Sequence, residues 1–334
     1  MPKPWFENVA PELRDLQAEQ YELERQNIER HRQEATELVK NLLTKDARIL
    51  VLDLSQGITD PRSVDEKLME ILKRDQFGGD RSTHGEIFRH LLGFKPGDPR
   101  VHIWDVPTEG YKLPYPDAWP DMWFATGGPA MPSELDQDKQ TQNTEWLQRA
   151  VDAMKALAKA KVPGVAVCLG HQLWEYSQGA KVGTRHPVRE FGTKTLHATD
   201  IGKQLQLLYG VWSAAGTAEI SSSHREAVIT PPPPSTSLEV VAFNEYSDYQ
   251  MAAHALVPGQ TVLEAQAEDT LLLSTQNHPE IVPSLLEDLR GKRFEVIEKE
   301  GLSPANILFR DTPLMRRIFP NAIPIIGRRQ ARRK

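Results

Sequence analysis

The residues whose chemistry stands out lie in the stretch V-A-V-C-L-G-H-Q, from Val165 to Gln172, which holds the only cysteine of the 334 residues. An apolar strand that turns sharply into a helix lifts the residue at its tip out of the sheet, and the positive end of the helix favours a thiolate there. Two small residues, Ala166 and Gly170, flank the cysteine at two positions' distance and would let the turn close. The pattern predicts a nucleophile at Cys168, with the backbone N–H of Leu169 directed at an oxyanion.

A cysteine nucleophile needs a base, and the base needs a group that orients it. The segment T-Q-N-H-P-E supplies both at the end of a predicted strand, with His278 as the base and Glu280 two residues beyond it. Gly127 and Gly128 follow another predicted strand and would supply a second oxyanion N–H. Functional groups gather at the carboxyl ends of parallel strands, which favours a common site.

Each of these features has an ordinary structural interpretation. A lone cysteine is more often a buried apolar residue than a nucleophile, a single His-Pro-Glu is a weak signal, and Gly-Gly-Pro after a strand usually makes only a turn. The three features occur in a fixed order, each at the end of a predicted strand, and this combination favours the catalytic interpretation.

The elements that must position these residues follow from the hydrophobic pattern. In the first half of the chain, short apolar runs typical of buried parallel strands alternate with helical patterns, which indicates an α/β sheet with helices on its faces. The second half contains closely spaced strand patterns separated by turn residues. A long charged helix is predicted over Pro11–Leu43, either as a surface helix or as a contact for a partner. Strands are predicted at Arg48–Leu54, Val101–Val106, Met122–Thr126, Val165–Cys168, Thr193–Ala198, Glu219–Ser222, Leu238–Asn244, Tyr249–His254 and Leu271–Gln276, and further helices at Asp65–Lys73, Glu86–Leu92, Thr144–Ala160, Gln172–Gln178 and Ile281–Leu289.

Composition narrows the function classes. The net charge of −6 and the pI of about 6.0 argue against a general nucleic-acid binder. One cysteine excludes an intramolecular disulfide and any multi-cysteine metal site, and we expect neither a metal nor a cofactor.

No secretory leader or membrane-spanning run is recognisable, so we expect a cytoplasmic protein without a membrane partner. The basic run from Arg328 to Lys334 is predicted to be a solvated, disordered tail; a nuclear-import signal or a contact with an acidic partner is the alternative.

Taken together, these motifs resemble those of the class I glutamine amidotransferase family. Its members carry a Cys-Leu-Gly-His-Gln elbow, a later His-Pro-Glu and an upstream Gly-Gly-Pro oxyanion loop, which stand here at Cys168–Gln172, His278–Glu280 and Gly127–Pro129. The resemblance covers about Arg48 to Leu289. Smaller matches to the family lie at Arg189–Gly192, Ser223–Glu226 and Tyr249–Ala253. The segment from Thr83 to Leu92, together with Trp104-Asp-Val, resembles the free-standing, GMP-synthase-like branch of the family, which includes γ-glutamyl peptidases.

The resemblance implies a doubly wound, mostly parallel sheet with an N-terminal helical extension. It divides the chain into a helical extension over 1–45, an amidotransferase-like domain over 46–290 and a C-terminal extension with a basic tail over 291–334. It also implies that Gln172 lines the pocket for the glutamyl group; a surface residue at the start of the helix is the alternative. His224 either contacts the substrate or is a structural histidine. Two positions depart from the family pattern: Ala166 replaces a glycine, and Asn277 replaces an aromatic residue or glycine.

Three functions follow from the resemblance. The preferred one is a stand-alone hydrolase that cleaves γ-glutamyl amide bonds of a small-molecule substrate through a γ-glutamyl thioester on Cys168. The second is a glutaminase subunit that delivers ammonia to a separate partner synthase, since no acceptor domain is recognisable after Leu289. The third is a non-catalytic binding protein on the same fold.

Overall fold

The computed structural model describes residues 11–55, 84–109, 118–136, 142–184, 189–234, 237–283, 286, 294–303, 307 and 309–333. Within these ranges the predicted sheet is present, with nine strands in the order β2-β1-β3-β4-β11-β10-β9-β6-β7. The five strands from β2 to β11 are parallel, and β10, β9, β6 and β7 continue the sheet in antiparallel fashion. The strands of this sheet are β1 (Ile49–Asp53), β2 (Val101–Asp105), β3 (Met122–Ala125), β4 (Gly164–Val167), β6 (Glu190–Ala198), β7 (Thr217–His224), β9 (Leu238–Phe243), β10 (Met251–Ala255) and β11 (Leu271–Thr275).

The continuous apolar character of the parallel strands is explained by burial of both faces of the sheet. In β1 the side chains alternate between the two faces, and all five residues are buried. Ile49 and Val51 join one hydrophobic cluster, while Leu50 and Leu52 join the other. Helices cover both faces, which is the doubly wound arrangement expected from the alternation of strands and helices.

Eight helices lie in the described ranges. The helix after β4 follows it directly and begins at Leu169, three residues before the predicted start. The eight helices are α1 (Pro11–Leu42), α2 (His84–Leu91), α3 (Gln142–Lys159), α4 (Leu169–Ser177), α5 (Asp200–Gln204), α6 (Val262–Ala267), α7 (Phe294–Lys299) and α8 (Ile318–Arg333).

A second, two-stranded antiparallel sheet pairs β5 (Lys181–Thr184) with β8 (Glu226–Thr230), and neither strand was predicted. Within the residues described, three short 3-10 turns occur at Pro132–Asp136, Gln206–Leu208 and Met315–Arg317. The predicted helix at Asp65–Lys73 and most of the predicted helix at Ile281–Leu289 lie outside the described residues.

The prediction of a disordered basic tail is wrong for the described residues, because Arg328 to Arg333 form the last turns of α8. Three of these arginines form ion pairs with two aspartates of the same chain. Arg328 Nη2 lies 2.6 Å from Asp269 Oδ1, Arg332 Nη2 lies 3.2 Å from Asp269 Oδ2, and Arg333 Nη1 lies 3.4 Å from Asp121 Oδ1. Both carboxylates are buried, so the arginines stabilise charges that burial alone would penalise.

The long charged helix at the N-terminal side of the described chain packs against α8. Two contacts come from the segment just before α8: Asp311 accepts a 2.7 Å hydrogen bond from Asn27, and Arg317 forms an ion pair with Glu34. At the end of α1, the amide of Gln330 exchanges hydrogen bonds with Thr44. The apolar residues of α1, such as Ile28, Ala35 and Val39, are buried in the same cluster as Ile323 and Ile326 of α8, so this helix docks on the core of its own chain.

No helix in the described part of the chain combines the length and the apolar character that crossing a bilayer requires.

Candidate active site

The turn between β4 and α4 holds the cysteine in a strained conformation. Cys168 has φ 49° and ψ −106°, a left-handed region that costs an L-residue about 1–3 kcal/mol. Its backbone N–H donates a 2.7 Å hydrogen bond to the carbonyl of Thr275, which fixes the turn to the end of β11. The side chain is largely buried at the N-terminus of α4, where the helix dipole favours a negative sulfur.

Ala166 does not prevent the turn, although the family resemblance calls for glycine there. Its methyl group is fully buried and joins the cluster on the α3 and α4 face of the sheet. The position that cannot carry a side chain is Gly170, where a Cβ atom would lie 2.8 Å from the Cβ of Ala125. The close approach of α4 to β3 therefore depends on Gly170.

His278 and Glu280 are brought to Cys168 by the chain that follows β11. The backbone N–H of His278 donates to the carbonyl of Ser221, which holds this segment against β7. Nδ1 of His278 lies 2.7 Å from Oε1 of Glu280, and its ring also forms a hydrogen bond with Cys168. The structure thus brings the three predicted catalytic residues into one connected group.

The electrostatics of this group favour an imidazolium. Burial alone would lower the pKa of His278, but the charges and hydrogen bonds of Cys168 and Glu280 outweigh burial and raise the pKa to about 10. A cysteine beside an imidazolium, with a carboxylate behind the ring, matches the arrangement of a cysteine nucleophile with its acid–base partner.

The two glycines after β3 lie against this group. A Cβ atom on Gly127 would lie 2.6 Å from Cε1 of His278 and 3.3 Å from the Cβ of Cys168. At Gly128 a Cβ atom would lie 2.1 Å from the carbonyl oxygen of Leu54, so only glycine fits. No backbone hydrogen bond between described residues uses the N–H groups of Gly128 or Leu169, and Leu169 is the first residue of α4, whose N–H has no partner inside the helix.

Gln172 and His224 share a partner close to this group. The amide of Gln172 donates to the carbonyl of Glu226 at 2.6 Å and to Oε1 of Gln276 at 3.2 Å. Nδ1 of His224 lies 3.1 Å from the same Glu226 carbonyl, and its Nε2 lies 2.7 Å from Oε2 of Glu190. Both side chains are buried and fixed by the protein.

Sequence reasoning missed a second buried group on the elbow helix. Oε1 of Glu175 lies 2.7 Å from Nε2 of His254, accepts a 2.8 Å hydrogen bond from Ser274, and lies 3.8 Å from Nδ1 of His171. Burial would raise the pKa of Glu175, but His254, His171 and the Ser274 hydroxyl lower it on balance. Burial lowers the pKa of His171 to about 4 against the attraction of Glu175.

His84, at the start of α2, was also missed as a residue of the site, because it lies far along the sequence from the catalytic motifs. Its ring forms a hydrogen bond with the carbonyl of Gly127, and the charges of Glu280, Asp53 and His278 act on it. Within the described ranges no group of three or more histidine, cysteine, aspartate or glutamate side chains is arranged to hold a metal ion.

Comparison with known proteins identifies the family. Residues 99–290 match the family model of class I glutamine amidotransferases. The carbamoyl phosphate synthase small chain of Xanthomonas axonopodis pv. citri is 35% identical in an alignment of 79 positions that covers 21% of this chain and 17% of that protein. The match thus spans less than a fifth of the relative's length.

Solved structures share the fold. The structure of SMU.1228c is 18% identical with a TM-score of 0.50 over 85% of this chain and 99% of that one. A glutamine amidotransferase from Thermotoga maritima is 14% identical with a TM-score of 0.51 over 85% and 97% of the two chains. Since the family model matches more than half of the 334 residues, the chain belongs to the class I glutamine amidotransferase family.

Proposed function

We propose that this member of the family is a cysteine-dependent hydrolase of γ-glutamyl amide bonds that works through a γ-glutamyl thioester on Cys168. The observation that carries the proposal is the connected group of Cys168, His278 and Glu280, with the cysteine held at φ 49° at a helix N-terminus. Enzymes of this family hydrolyse glutamine amides, and the proposal extends that chemistry to a free-standing enzyme.

In the first step, the thiolate of Cys168 attacks the γ-carbonyl carbon and forms the C–S bond. The imidazolium of His278 gives its proton to the nitrogen as the C–N bond breaks, so the amine leaves neutral. Glu280 orients the ring and stabilises its charge. The N–H groups of Leu169 and Gly128 are the proposed donors to the oxyanion, and Gly127 allows the ring to approach.

In the second step, water attacks the thioester carbonyl and gives a proton to His278. The C–S bond breaks, glutamate leaves, and the thiolate re-forms beside the imidazolium. Gln172 and His224 are proposed to border the pocket for the glutamyl group. Both N–H bonds of the Gln172 amide are used within the protein, which leaves its Oε1 as an acceptor for a substrate ammonium.

The test is a screen of γ-glutamyl compounds, including glutamine and glutathione, against the wild type and Cys168→Ala, with released glutamate as the readout. We expect turnover by the wild type and a loss of at least about 10³-fold in Cys168→Ala. The thermal midpoint should change little, because the sulfur contributes little packing volume. Turnover retained by Cys168→Ala would overturn the proposal.

A second function is favoured by one comparison. The carbamoyl phosphate synthase small chain is named as a subunit of a synthase, so a glutaminase that supplies ammonia to a separate synthase is the alternative. Release of glutamate from glutathione exceeding release from glutamine supports the free-standing hydrolase. Glutaminase activity that appears only with a co-purifying synthase supports the alternative.

A further inference from the structure

Thr126 connects three parts of the site. It follows β3 directly and is completely buried. Its backbone N–H donates a 3.0 Å hydrogen bond to the carbonyl of Leu52 in β1, and its carbonyl accepts a 3.2 Å hydrogen bond from the N–H of Gly170 in α4. Thr126 is therefore fixed between the first strand, the elbow helix and the two glycines that follow it in the chain.

The hydroxyl of Thr126 forms two further hydrogen bonds. Its oxygen accepts a 2.9 Å hydrogen bond from the N–H of Leu54, and it donates to the carbonyl of Gly127 at 2.9 Å. A hydroxyl carries a single proton, and here that proton is committed to Gly127. The ring of His84 is a second donor to the same carbonyl. The carbonyl of Gly127 is thus tied to the end of β1 through the hydroxyl.

The peptide that carries this carbonyl lies between two glycines. A Cβ atom on Gly127 would lie 2.6 Å from Cε1 of His278, and one on Gly128 would lie 2.1 Å from the carbonyl oxygen of Leu54, so both positions require glycine. Without a Cβ on either side, the backbone angles next to this peptide are the least restricted in the site. The orientation of the peptide plane therefore has to be fixed by hydrogen bonds.

This orientation decides which end of the peptide dipole is free for the reaction. The peptide bond is trans, so the carbonyl of Gly127 and the N–H of Gly128 point in opposite directions. The N–H of Gly128 has no backbone acceptor among the described residues. A reversed plane would replace this donor with a carbonyl oxygen, which repels an oxyanion. A hydrogen bond to the carbonyl also polarises the peptide and strengthens its N–H as a donor.

We propose that the hydroxyl of Thr126 is the positioning group that holds the Gly127–Gly128 peptide with its N–H available to the oxyanion. The inference rests on the proposed hydrolase function, in which the N–H of Gly128 is a donor to the oxyanion. The two glycines permit the close approach to His278 and Cys168, and Thr126 supplies the orientation that the glycines leave unrestricted.

The test compares Thr126→Val, which keeps the shape of the side chain but lacks the hydroxyl, with Thr126→Ser, which keeps the hydroxyl. The control is Thr270→Val, which removes another buried hydroxyl, one that donates a 3.0 Å hydrogen bond to Gln260. Thr270 directly precedes β11, so it lies at the opposite edge of the sheet from Cys168. This control reveals any loss that comes only from destabilising the fold.

Three quantities are measured on each variant. The first is kcat and KM for the γ-glutamyl compound that the wild type hydrolyses fastest. The second is the Ki of the γ-aldehyde analogue of glutamate: the sulfur adds to its aldehyde carbon, the carbonyl electron pair moves to the oxygen, and the thiol proton goes to His278. The third is the rate of Cys168 alkylation by iodoacetamide, in which the sulfur displaces iodide and no oxyanion forms.

We expect Thr126→Val to lower kcat roughly 30-fold and to raise the Ki of the aldehyde by a similar factor. The loss should be smaller than the 10²–10³-fold of deleting an oxyanion donor, because the N–H remains and His84 still contacts the carbonyl. KM should change less than about threefold and the alkylation rate less than about twofold, since neither involves an oxyanion. Thr126→Ser and Thr270→Val should stay within about threefold of the wild type throughout.

Three results would overturn the role of Thr126. Unchanged kcat and Ki in Thr126→Val would show that the hydroxyl does not hold the peptide. An equal loss in Thr126→Ser would exclude the hydroxyl as the cause, and an equal fall in the alkylation rate would assign the defect to the sulfur. If Thr126→Val does not fold, Thr126→Ala is compared with Thr126→Ser, since only the serine carries the hydroxyl.

Failure of the hydrolase function is distinguishable from these results. If the wild type hydrolyses no γ-glutamyl compound but binds the aldehyde through Cys168, the hydrolase function falls, and the Ki values of Thr126→Val and Thr126→Ser still decide the role of the hydroxyl. If the wild type neither hydrolyses these compounds nor binds the aldehyde, or if Cys168→Ala keeps its turnover, both proposals fall.

Discussion

Two buried clusters of histidine and glutamate share the elbow helix α4, and they resolve their charges in opposite ways. At its N-terminal end, His278 lies between Cys168 and Glu280, and its pKa rises to about 10. Further along the helix, the pKa of His171 falls to about 4 beside Glu175. Both histidines are almost completely buried, so burial alone does not explain the difference.

The difference lies in the ratio of acids to imidazoles. Two acidic groups face one ring in the first cluster, so their combined attraction exceeds the cost of burying a positive charge. In the second cluster one carboxylate faces two rings, and His254, at 2.7 Å, is much closer to it than His171, at 3.8 Å. A buried histidine that stays protonated on this helix therefore requires a second negative partner, which the cysteine supplies.

The largest effect is expected from removing one acid of the first cluster. Glu280→Gln keeps the shape but loses the charge, so kcat should fall by roughly 10³-fold, as expected when a catalytic histidine loses its orienting carboxylate. The imidazolium must protonate the leaving nitrogen, so wild-type activity should persist as pH rises towards about 10 and fall above it. The fall should begin at lower pH in Glu280→Gln, because the pKa of His278 loses one of its supports.

This prediction is checked by pH profiles of kcat and of Cys168 alkylation by iodoacetamide; since Cys168 is the chain's only cysteine, the thiol signal is unambiguous. Glu239→Gln, on the exposed side of β9, serves as the control. An unchanged alkaline limit in Glu280→Gln would contradict the explanation given for the basic His278.

A smaller effect, on stability rather than on rate, is expected from the second cluster. Glu175→Gln removes the charge that His254 and Ser274 bind, and breaking a buried pair in this way costs about 3 kcal/mol of unfolding free energy. Urea unfolding at pH 7 measures it, with glutamate release expected to stay within about threefold of the wild type. A loss of activity as large as that of Glu280→Gln would mean that the two clusters are not separate in function.

The last effect develops only as the pH falls and concerns the acid side of the stability profile. The folded protein keeps His171 neutral down to about pH 4, while the unfolded chain takes up the proton near its ordinary pKa of 6.5. The unfolded state therefore binds more protons between these values, and stability falls as pH decreases from about 6.5 to 4, by up to roughly 3 kcal/mol. His171→Asn should flatten this slope in urea unfolding measured at several pH values; an equally steep slope would assign it to other groups.

Local patterns were enough to predict the central strands and the catalytic motifs. Apolar runs such as that of β1 are decisive because both faces of the strand are buried, and the three motifs occupy the ends of β3, β4 and β11 as expected. The short strands β5 and β8 were missed, since four or five residues with little apolar periodicity give no distinct signal.

The C-terminal helix was missed for a different reason. Pro320 and Pro324 lie within or near its first turns, and proline normally argues against a helix interior. Its stability comes instead from packing of Ile323 and Ile326 in the core and from the arginines on Asp269. His84 could not be found either, because its partners come from β1, β3 and the segment after β11, which only the fold brings together.

The packing of α1 against α8 also has a consequence for folding during synthesis on the ribosome. The hydrogen bonds between Thr44 and Gln330 join positions 286 residues apart. During synthesis, α1 leaves the ribosome long before α8 exists, so Ile28, Ala35 and Val39 lack the part of their cover that α8 supplies in that interval. The contact of Thr36 with the carbonyl of Gly93 can form early, whereas docking of α1 on α8 must wait until the C-terminal helix has been synthesised.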